Sequence, residues 1–261
     1  MIIYPICSSS KGNSIYVANE KGAVLIDAGA SFKYICKSLN LAGFAQNSIK
    51  AIFITHEHTD HVSGLYSVTK NLNVPVFSSK PTLKKLIVKK CIFSGTRLFE
   101  INMKTANISG LRVSAFRVPH DSVDGLRYII KCGNKKISIC TDVGCVNLGL
   151  KDMFRDSDFV FLESNYDEDM LKSGSYPVTT KKRILSKYGH LSNVEASGFI
   201  NELIDCGVKR FMLGHLSQNN NTPQIALKTV ISYLTKQNKT YIKDYELVVA
   251  PAKNNGKFYE V

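Results

Sequence analysis

The sequence predicts an α/β chain of the α+β kind, with two sheets enclosed by outer helices in a four-layer αββα sandwich. Three observations lead there. Short β-branched and apolar runs alternate with amphipathic helical segments, and hairpin turns interrupt that alternation. No Pro/Gly/Ser-rich linker, low-complexity tract or repeat divides the chain, so residues 1–261 read as a single domain, within which two similar halves can be layered. The 44% hydrophobic content of the 261 residues is enough for a substantial core.

In chain order, IIYPI, SIYVAN and AVLIDAG read as strands, with Asn19 to Gly22 as the turn between the last two. Ser31 then caps a helix over FKYICKSLNLAG. AIFIT is the next strand, and Leu65, Val68 and Leu72 follow it at helical spacing. VSAFRV and LRYIIKCGNKKISIC supply three strands, the last two joined at Gly133-Asn134, and DFVFLE, KRFML and ELVVAP supply three more. In HLSNVEASGFINELIDCG, Ser192 and Glu195 form a capping box, Ala196, Ile200, Leu203 and Ile204 make one apolar face, and Gly207 stops the helix. Thr222-Pro223 opens the last helix, with Leu227, Val230, Ile231 and Leu234 on one face.

A formal net charge of +13 favours polyanionic partners, because a basic surface concentrates phosphate. Abundant lysine, asparagine and isoleucine also fit a biased base composition, under which part of that charge is plain solvated surface. Seven scattered cysteines without a C-x-x-C pair argue against a disulfide framework and a zinc-thiolate knuckle, and are expected to be buried thiols. No apolar run reaches membrane-spanning length, and MIIYPICSSSKGNS is not a basic leader followed by an apolar stretch, so the expectation is a cytoplasmic protein without a membrane partner.

THEHTDH places three of the six histidines and an aspartate between His56 and His61, a density that suits a metal site. Further candidates stand where apolar strands end. AIFIT runs toward His56, RVP into His120, SICT into Asp142, DFVFL into Glu163 and FMLG into His215. Functional groups in open α/β sheets collect at the carboxyl ends of strands, and five such endings predict one shared crevice.

His56, His58, Asp60 and His61 fit the H-x-H-x-D-H signature of the metallo-β-lactamase superfamily. Asp27 in LIDAG, His120, Asp142 in TDVG and His215 stand in the order that family uses. The resemblance spans nearly the whole chain. It implies a metal-dependent hydrolase holding two divalent ions, with His56, His58 and His120 on one, Asp60, His61 and His215 on the other, Asp142 bridging, and Asp27 orienting the site from behind. It also implies that Asp60 counts among the catalytic residues. Five histidines and two aspartates suit zinc or manganese better than magnesium. Redox diiron members carry glutamate where His58 stands, which disfavours oxygen chemistry.

LESNY and GHLSNVEA resemble the glutamate and histidine motifs of transfer-RNA 3′-processing ribonucleases in the same superfamily, and LGHLSQNN resembles the metal histidine that follows them. That likeness implies His190 as general acid and Glu163 as its partner. A phosphodiester needs such an acid because a poor alkoxide must leave. The chain has no long transfer-RNA-gripping arm and is too short for the cap domain of the large ribonucleases. The segments SSSKGNS, ESNYDEDMLKSGSYPVTTKKRILSKYGHLSN and HLSQNNNTP resemble the WalJ/YycJ branch, which implies a 5′-to-3′ DNA exonuclease with a metal-bridged hydroxide as nucleophile and DNA as partner. Ser8, Ser10, Lys11 and Asn13 in SSSKGNS, and Lys181, Lys182 and Arg183 with nearby Lys187, are expected to contact substrate phosphate. Two alternatives are a hydrolase of a small ester, thioester or cyclic phosphodiester, and a non-catalytic nucleic-acid-binding scaffold. Oligomeric state is not legible in the sequence.

Overall fold

The computed structural model describes the backbone of residues 1–261 and the side chains of all but residue 148. The chain forms two compact units. The first comprises Met1–Arg117, Ser122–Lys135 and Pro251–Val261, and the second Val118–Asp121 and Lys136–Ala250.

In the first unit, β1 (Ile2–Ser9), β2 (Gly12–Asn19), β3 (Gly22–Ile26), β4 (Ile49–Phe53), β5 (Val76–Ser78) and β6 (Leu98–Glu100) form one sheet in that order, with the C-terminal strand Tyr259–Glu260 outside β1. Pairing is antiparallel from that C-terminal strand through β3 and parallel from β3 to β6. Helices α1 (Phe32–Leu41), α2 (Thr59–Val62), α3 (Leu65–Leu72) and α4 (Lys80–Val88) belong to the same unit. So does an antiparallel trio, β7 (Thr105–Ile108), β8 (Leu111–Arg117) and β9 (Leu126–Cys132). The core gathers Tyr4, Ile6, Leu25 and Ile52 from the sheet with Ile35 and Leu39 of α1 and Leu65 and Val68 of α3. Burying each aliphatic side chain of this kind contributes about 1.5–3 kcal/mol. Ser31 caps α1 by accepting from the Tyr34 N–H.

Two boundaries differ from expectation. β1 continues past IIYPI to Ser9 and pairs with β2 up to Ser9 opposite Gly12, so SSSKGNS is the tip of a hairpin with Ser10 and Lys11 at its turn. β3 stops at Ile26, because Asp27 takes a left-handed backbone with φ of 61° that leaves the sheet. β5, α4, β6 and β7 lie where no element is expected from the sequence. Three- and four-residue strands are too short to display alternation.

In the second unit, β10 (Lys135–Cys140), β11 (Phe159–Glu163), β12 (Arg210–Gly214) and β13 (Glu246–Val249) are parallel and adjacent in that order. Every residue of β11 is buried, as expected for a parallel strand covered on both faces. Helices α5 (Leu148–Phe154), α6 (Glu168–Ser173), α7 (Val178–Ile184), α8 (Asn193–Asp205) and α9 (Pro223–Lys236) complete the unit. The Ser192–Glu195 capping box closes in both directions, at 3.1 and 2.7 Å. Ala196, Ile200 and Leu203 are buried, joined by Phe199, while Ile204 is only half-buried. On α9 the buried residues are Ala226, Val230 and Leu234, so the apolar face is rotated from the expected one and leaves Leu227 and Ile231 half-covered.

Candidate metal centre and acid residues

In the first unit the histidine cluster is organised from behind by Asp27, the residue just after β3. Its carboxylate accepts from the Thr55 N–H (2.8 Å), the Thr55 hydroxyl (2.8 Å) and the His61 Nδ1–H (2.7 Å). A carboxylate can only accept, so His61 carries its proton on Nδ1 and presents the lone pair of Nε2. That Nε2 lies 3.2 Å from Asp60 Oδ2. His56 Nε2 and His58 Nδ1 approach to 3.0 Å, and the His56 and His61 rings are 4.2 Å apart. Two donors held about 2.1 Å from a tetrahedral ion stand roughly 3.4 Å apart, so these close pairs fit a cation well. His56 and His61 are fully buried.

Glycines let three backbone segments meet here. A Cβ on Gly29 would lie 1.7 Å from the Asp60 carbonyl oxygen, and one on Gly64 would lie 1.7 Å from that of Ala30. Only glycine permits such approach. Sequence reasoning also missed two contacts. The Asn13 amide nitrogen lies 3.2 Å from Asp60 Oδ2 and 3.2 Å from His61 Nε2, while Ser9 fixes that amide through its N–H (3.1 Å) and carbonyl (2.9 Å). Glu57, between the first two histidines, is buried and accepts from the Val123 N–H at 3.1 Å. H-x-H-x-D-H leaves Glu57 unspecified, and nothing in SSSKGNS says which way Asn13 turns. Ser8 is buried with Asn13, whereas Ser10 and Lys11 are exposed at the hairpin turn.

In the second unit the organising group is Glu163, the last residue of β11 and fully buried. Its Oε1 accepts from His190 Nδ1 (2.8 Å) and His215 Nδ1 (2.7 Å), and its Oε2 from the N–H groups of Val143 (2.9 Å) and Leu191 (3.1 Å). Burial pushes this carboxyl up, but the charge of His190 and the hydrogen bonds from both imidazoles outweigh it and hold the group down at about 2. Both imidazoles therefore keep Nδ1 protonated. Sequence reasoning paired Glu163 with His190 and missed that it also holds His215.

Asp142 and His215 follow β10 and β12 with φ of 57° and 56°, again left-handed. Non-glycine residues pay about 1–3 kcal/mol for such backbone, which persists where surrounding contacts over-determine it. Asp142 Oδ1 lies 3.5 Å from His215 Nε2, 3.6 Å from His120 Nε2 and 3.9 Å from His190 Nδ1. His120 donates from Nδ1 to the Gly189 carbonyl at 3.1 Å, and its Nε2 also lies 3.2 Å from Asp121. Asp142, Glu163, His190 and His215 each offer an atom within 4.8 Å of the others; with both Nδ1 protons held by Glu163, His215 Nε2 and the Asp142 carboxylate are the atoms whose chemistry fits a divalent cation. Of the expected phosphate contacts, Arg183 is engaged by Asp121 at 2.6 Å and Lys181 by the Lys172 carbonyl at 2.7 Å, while Lys182 is exposed.

The cysteine expectation needs correction. Cys7 and Cys140 are buried, but Cys36, Cys91, Cys132, Cys145 and Cys206 lie at intermediate exposure, three of them (Cys91, Cys145 and Cys206) outside the helices and strands. Burial pushes the Cys7 thiol up to about 12, which keeps it inert. Among the described residues no helix is long and apolar enough to cross a membrane.

Comparison with known proteins agrees with this donor chemistry. Residues 10–97 match the metallo-beta-lactamase superfamily. The crystal structure of the metallo-beta-lactamase fold protein YhfI from Bacillus subtilis superposes with a TM-score of 0.74 over 99% of this chain and 98% of that one, at 13% identity, which shows the fold. The chain, with its α/β sandwich fold, is a metal-dependent hydrolase of the metallo-β-lactamase superfamily, as the relatives that follow bear out. It is 30% identical over 235 residues to exodeoxyribonuclease YycJ of Bacillus anthracis, covering 89% of this chain and 88% of that protein. To exodeoxyribonuclease WalJ of Streptococcus pneumoniae it is 31% identical over 235 residues, covering 88% and 87%. Within the superfamily it belongs with this YycJ/WalJ family.

Proposed function

We propose that this protein is a dinuclear metal-dependent phosphodiesterase that degrades DNA from the 5′ end, with residues 1–261 acting as one hydrolase domain in the cytoplasm. The observation that carries the reading is the 2.8 Å contact between the buried Glu163 carboxylate and His190 Nδ1. With Nδ1 engaged, Nε2 is the atom from which His190 delivers a proton to the departing oxygen. Glu163, held ionised by its two imidazoles, stabilises the imidazolium that does so. Expelling an alkoxide from a phosphodiester requires that proton. Hydrolysing a thioester does not. The names of both relatives, exodeoxyribonucleases, support DNA as the polymer.

Zinc or manganese would be held, on the superfamily pattern, by His56, His58 and His120 at one position and by Asp60, His61 and His215 at the other, with Asp142 shared. When bound, such ions activate water near neutral pH and offset charge on phosphate oxygens. Asp27 fixes the Nδ1 proton of His61, and Asn13 braces Asp60 and His61. Ser10, Lys11, Lys182 and Arg183 are the exposed members of the set assigned to backbone phosphates, although Arg183 is paired with Asp121, and Ser8 is screened by its burial.

A digestion panel tests the reading: 5′- and 3′-labelled single- and double-stranded DNA and RNA with zinc- or manganese-loaded protein. DNA shortened from the 5′ end is expected. His190→Ala should lose about 10²–10⁴-fold in turnover with metal content unchanged. A variant as active as the parent would remove His190 from the reaction, and hydrolysis of thioesters but not oligonucleotides would replace the nuclease reading.

A further inference from the structure

Tyr188, two residues before His190, leaves 49% of its surface exposed, and Leu185, three residues earlier, leaves 51%. The segment carrying this ring is tied to the second-unit cluster on several sides. The Tyr188 carbonyl accepts from the Asp121 N–H at 3.0 Å, and the next carbonyl, of Gly189, accepts from His120 Nδ1 at 3.1 Å. The Gly189 N–H returns to the Ser186 carbonyl at 2.8 Å. Gly144, two residues after Asp142, packs flat against it: a Cβ there would lie 2.1 Å from the Lys187 carbonyl oxygen and 2.6 Å from Tyr188 Cα. The ring therefore projects from a braced backbone next to the residue assigned as general acid. Lys187 holds its ammonium 5.1 Å from the ring centroid, and the preceding helix α7 ends in Lys181, Lys182 and Arg183. The carboxylate of Asp121, whose N–H bonds the Tyr188 carbonyl, is paired with Arg183 at 2.6 Å.

An exposed aromatic face with a cation over it, in a cationic neighbourhood, matches what a nucleotide offers: a π-faced base and an anionic phosphate. We propose that Tyr188 is a stacking platform for the base of a nucleotide flanking the scissile phosphate, with Lys187 meeting the adjoining backbone charge. This rests on the nuclease reading. Stacking is tolerant of sequence because every base has a π-face, so the platform grips an unpaired strand end without selecting a base.

The test compares wild type, Tyr188→Ala, Tyr188→Leu and Tyr188→Phe on three substrates: an oligonucleotide, the same strand with a tetrahydrofuran abasic site at the first or second nucleotide from the cleaved end, and bis-p-nitrophenyl phosphate. On the intact strand the Ala and Leu variants should lose about fivefold to a hundredfold in kcat/KM, mostly through KM, while Phe stays within about twofold of wild type. On one of the two abasic strands wild type should fall to the level of the Ala variant, erasing the difference. Tyr188→Leu preserves side-chain bulk, so a loss shared by Ala and Leu is loss of the ring and not of packing. Equal kcat/KM for Leu and Phe on the intact strand would overturn the platform, as would a difference that persists undiminished on both abasic strands. Wild type that hydrolyses bis-p-nitrophenyl phosphate and no oligonucleotide would overturn the nuclease reading itself and the platform with it; oligonucleotide cleavage indifferent to Tyr188 would overturn the platform alone.

Discussion

In the first unit, Asp27 organises side chains of a seven-residue motif; in the second, Glu163 organises groups drawn from segments dozens of residues apart. Both carboxylates are buried, and both accept from the Nδ1 of an imidazole, which leaves Nε2 as the open nitrogen of the ring. Asp27 leaves its strand in a left-handed turn and takes two of its three donors from one residue, Thr55. Glu163 remains within its strand and binds together His190, His215, Val143 and Leu191. A locally encoded cluster tolerates a modest anchor. One assembled from remote segments concentrates its long-range cohesion in a single group, since each segment brought in has already lost chain entropy.

Breaking that contrast begins with the anchors. Glu163→Ala should cost about 3–5 kcal/mol in urea unfolding, because four donors lose a charged acceptor in a buried site. Asp27→Ala should cost less, about 2–3 kcal/mol. Equal or reversed penalties would break the comparison. Asn13→Ala sharpens it within the first unit: losing the amide that touches Asp60 and His61 should weaken metal binding about tenfold, read by zinc titration with a competing chelator. Unchanged affinity would leave Asn13 a mere hairpin brace.

Smaller effects test how each cluster is framed. Ser192→Ala opens the capping box that starts α8 just after Leu191, and should cost about 1 kcal/mol in thermal unfolding. In the first unit, the Arg117 hydrogen bond holds Asp124 below the usual carboxylate range. A lowered folded-state pKa stabilises above the unfolded value and is lost as pH falls through the folded one. Asp124→Asn should therefore cost about 0.5 kcal/mol at pH 7, with the difference from wild type vanishing as acid protonates the carboxylate. A difference independent of pH would exclude the ion pair as its source.

How much of this was legible depends on the range of the contact. H-x-H-x-D-H could be read because its members are neighbours, and the capping box because its two residues are three apart. The strand ends before Asp142, Glu163 and His215 could be read because apolar runs stop there. The sharing of Glu163 between two histidines, the turn of Asn13 toward Asp60, and the burial of Glu57 were not legible, since each partner lies in a segment remote from the residue it touches. The rotated face of α9 escaped for a related reason: periodicity identifies an apolar stripe, while the neighbouring helix chooses which part of it is covered.

The sequence by itself determined that this chain is a superfamily member with a cluster of histidines and aspartates suited to a cation and a strand-end glutamate and histidine, because residue identity and spacing carry that chemistry. Tertiary structure alone decided which imidazole nitrogen carries the proton, and which backbones at Asp27, Asp142 and His215 bend into the left-handed region. Those outcomes depend on acceptors and packing supplied by distant segments, and no local pattern encodes a partner that arrives only on folding.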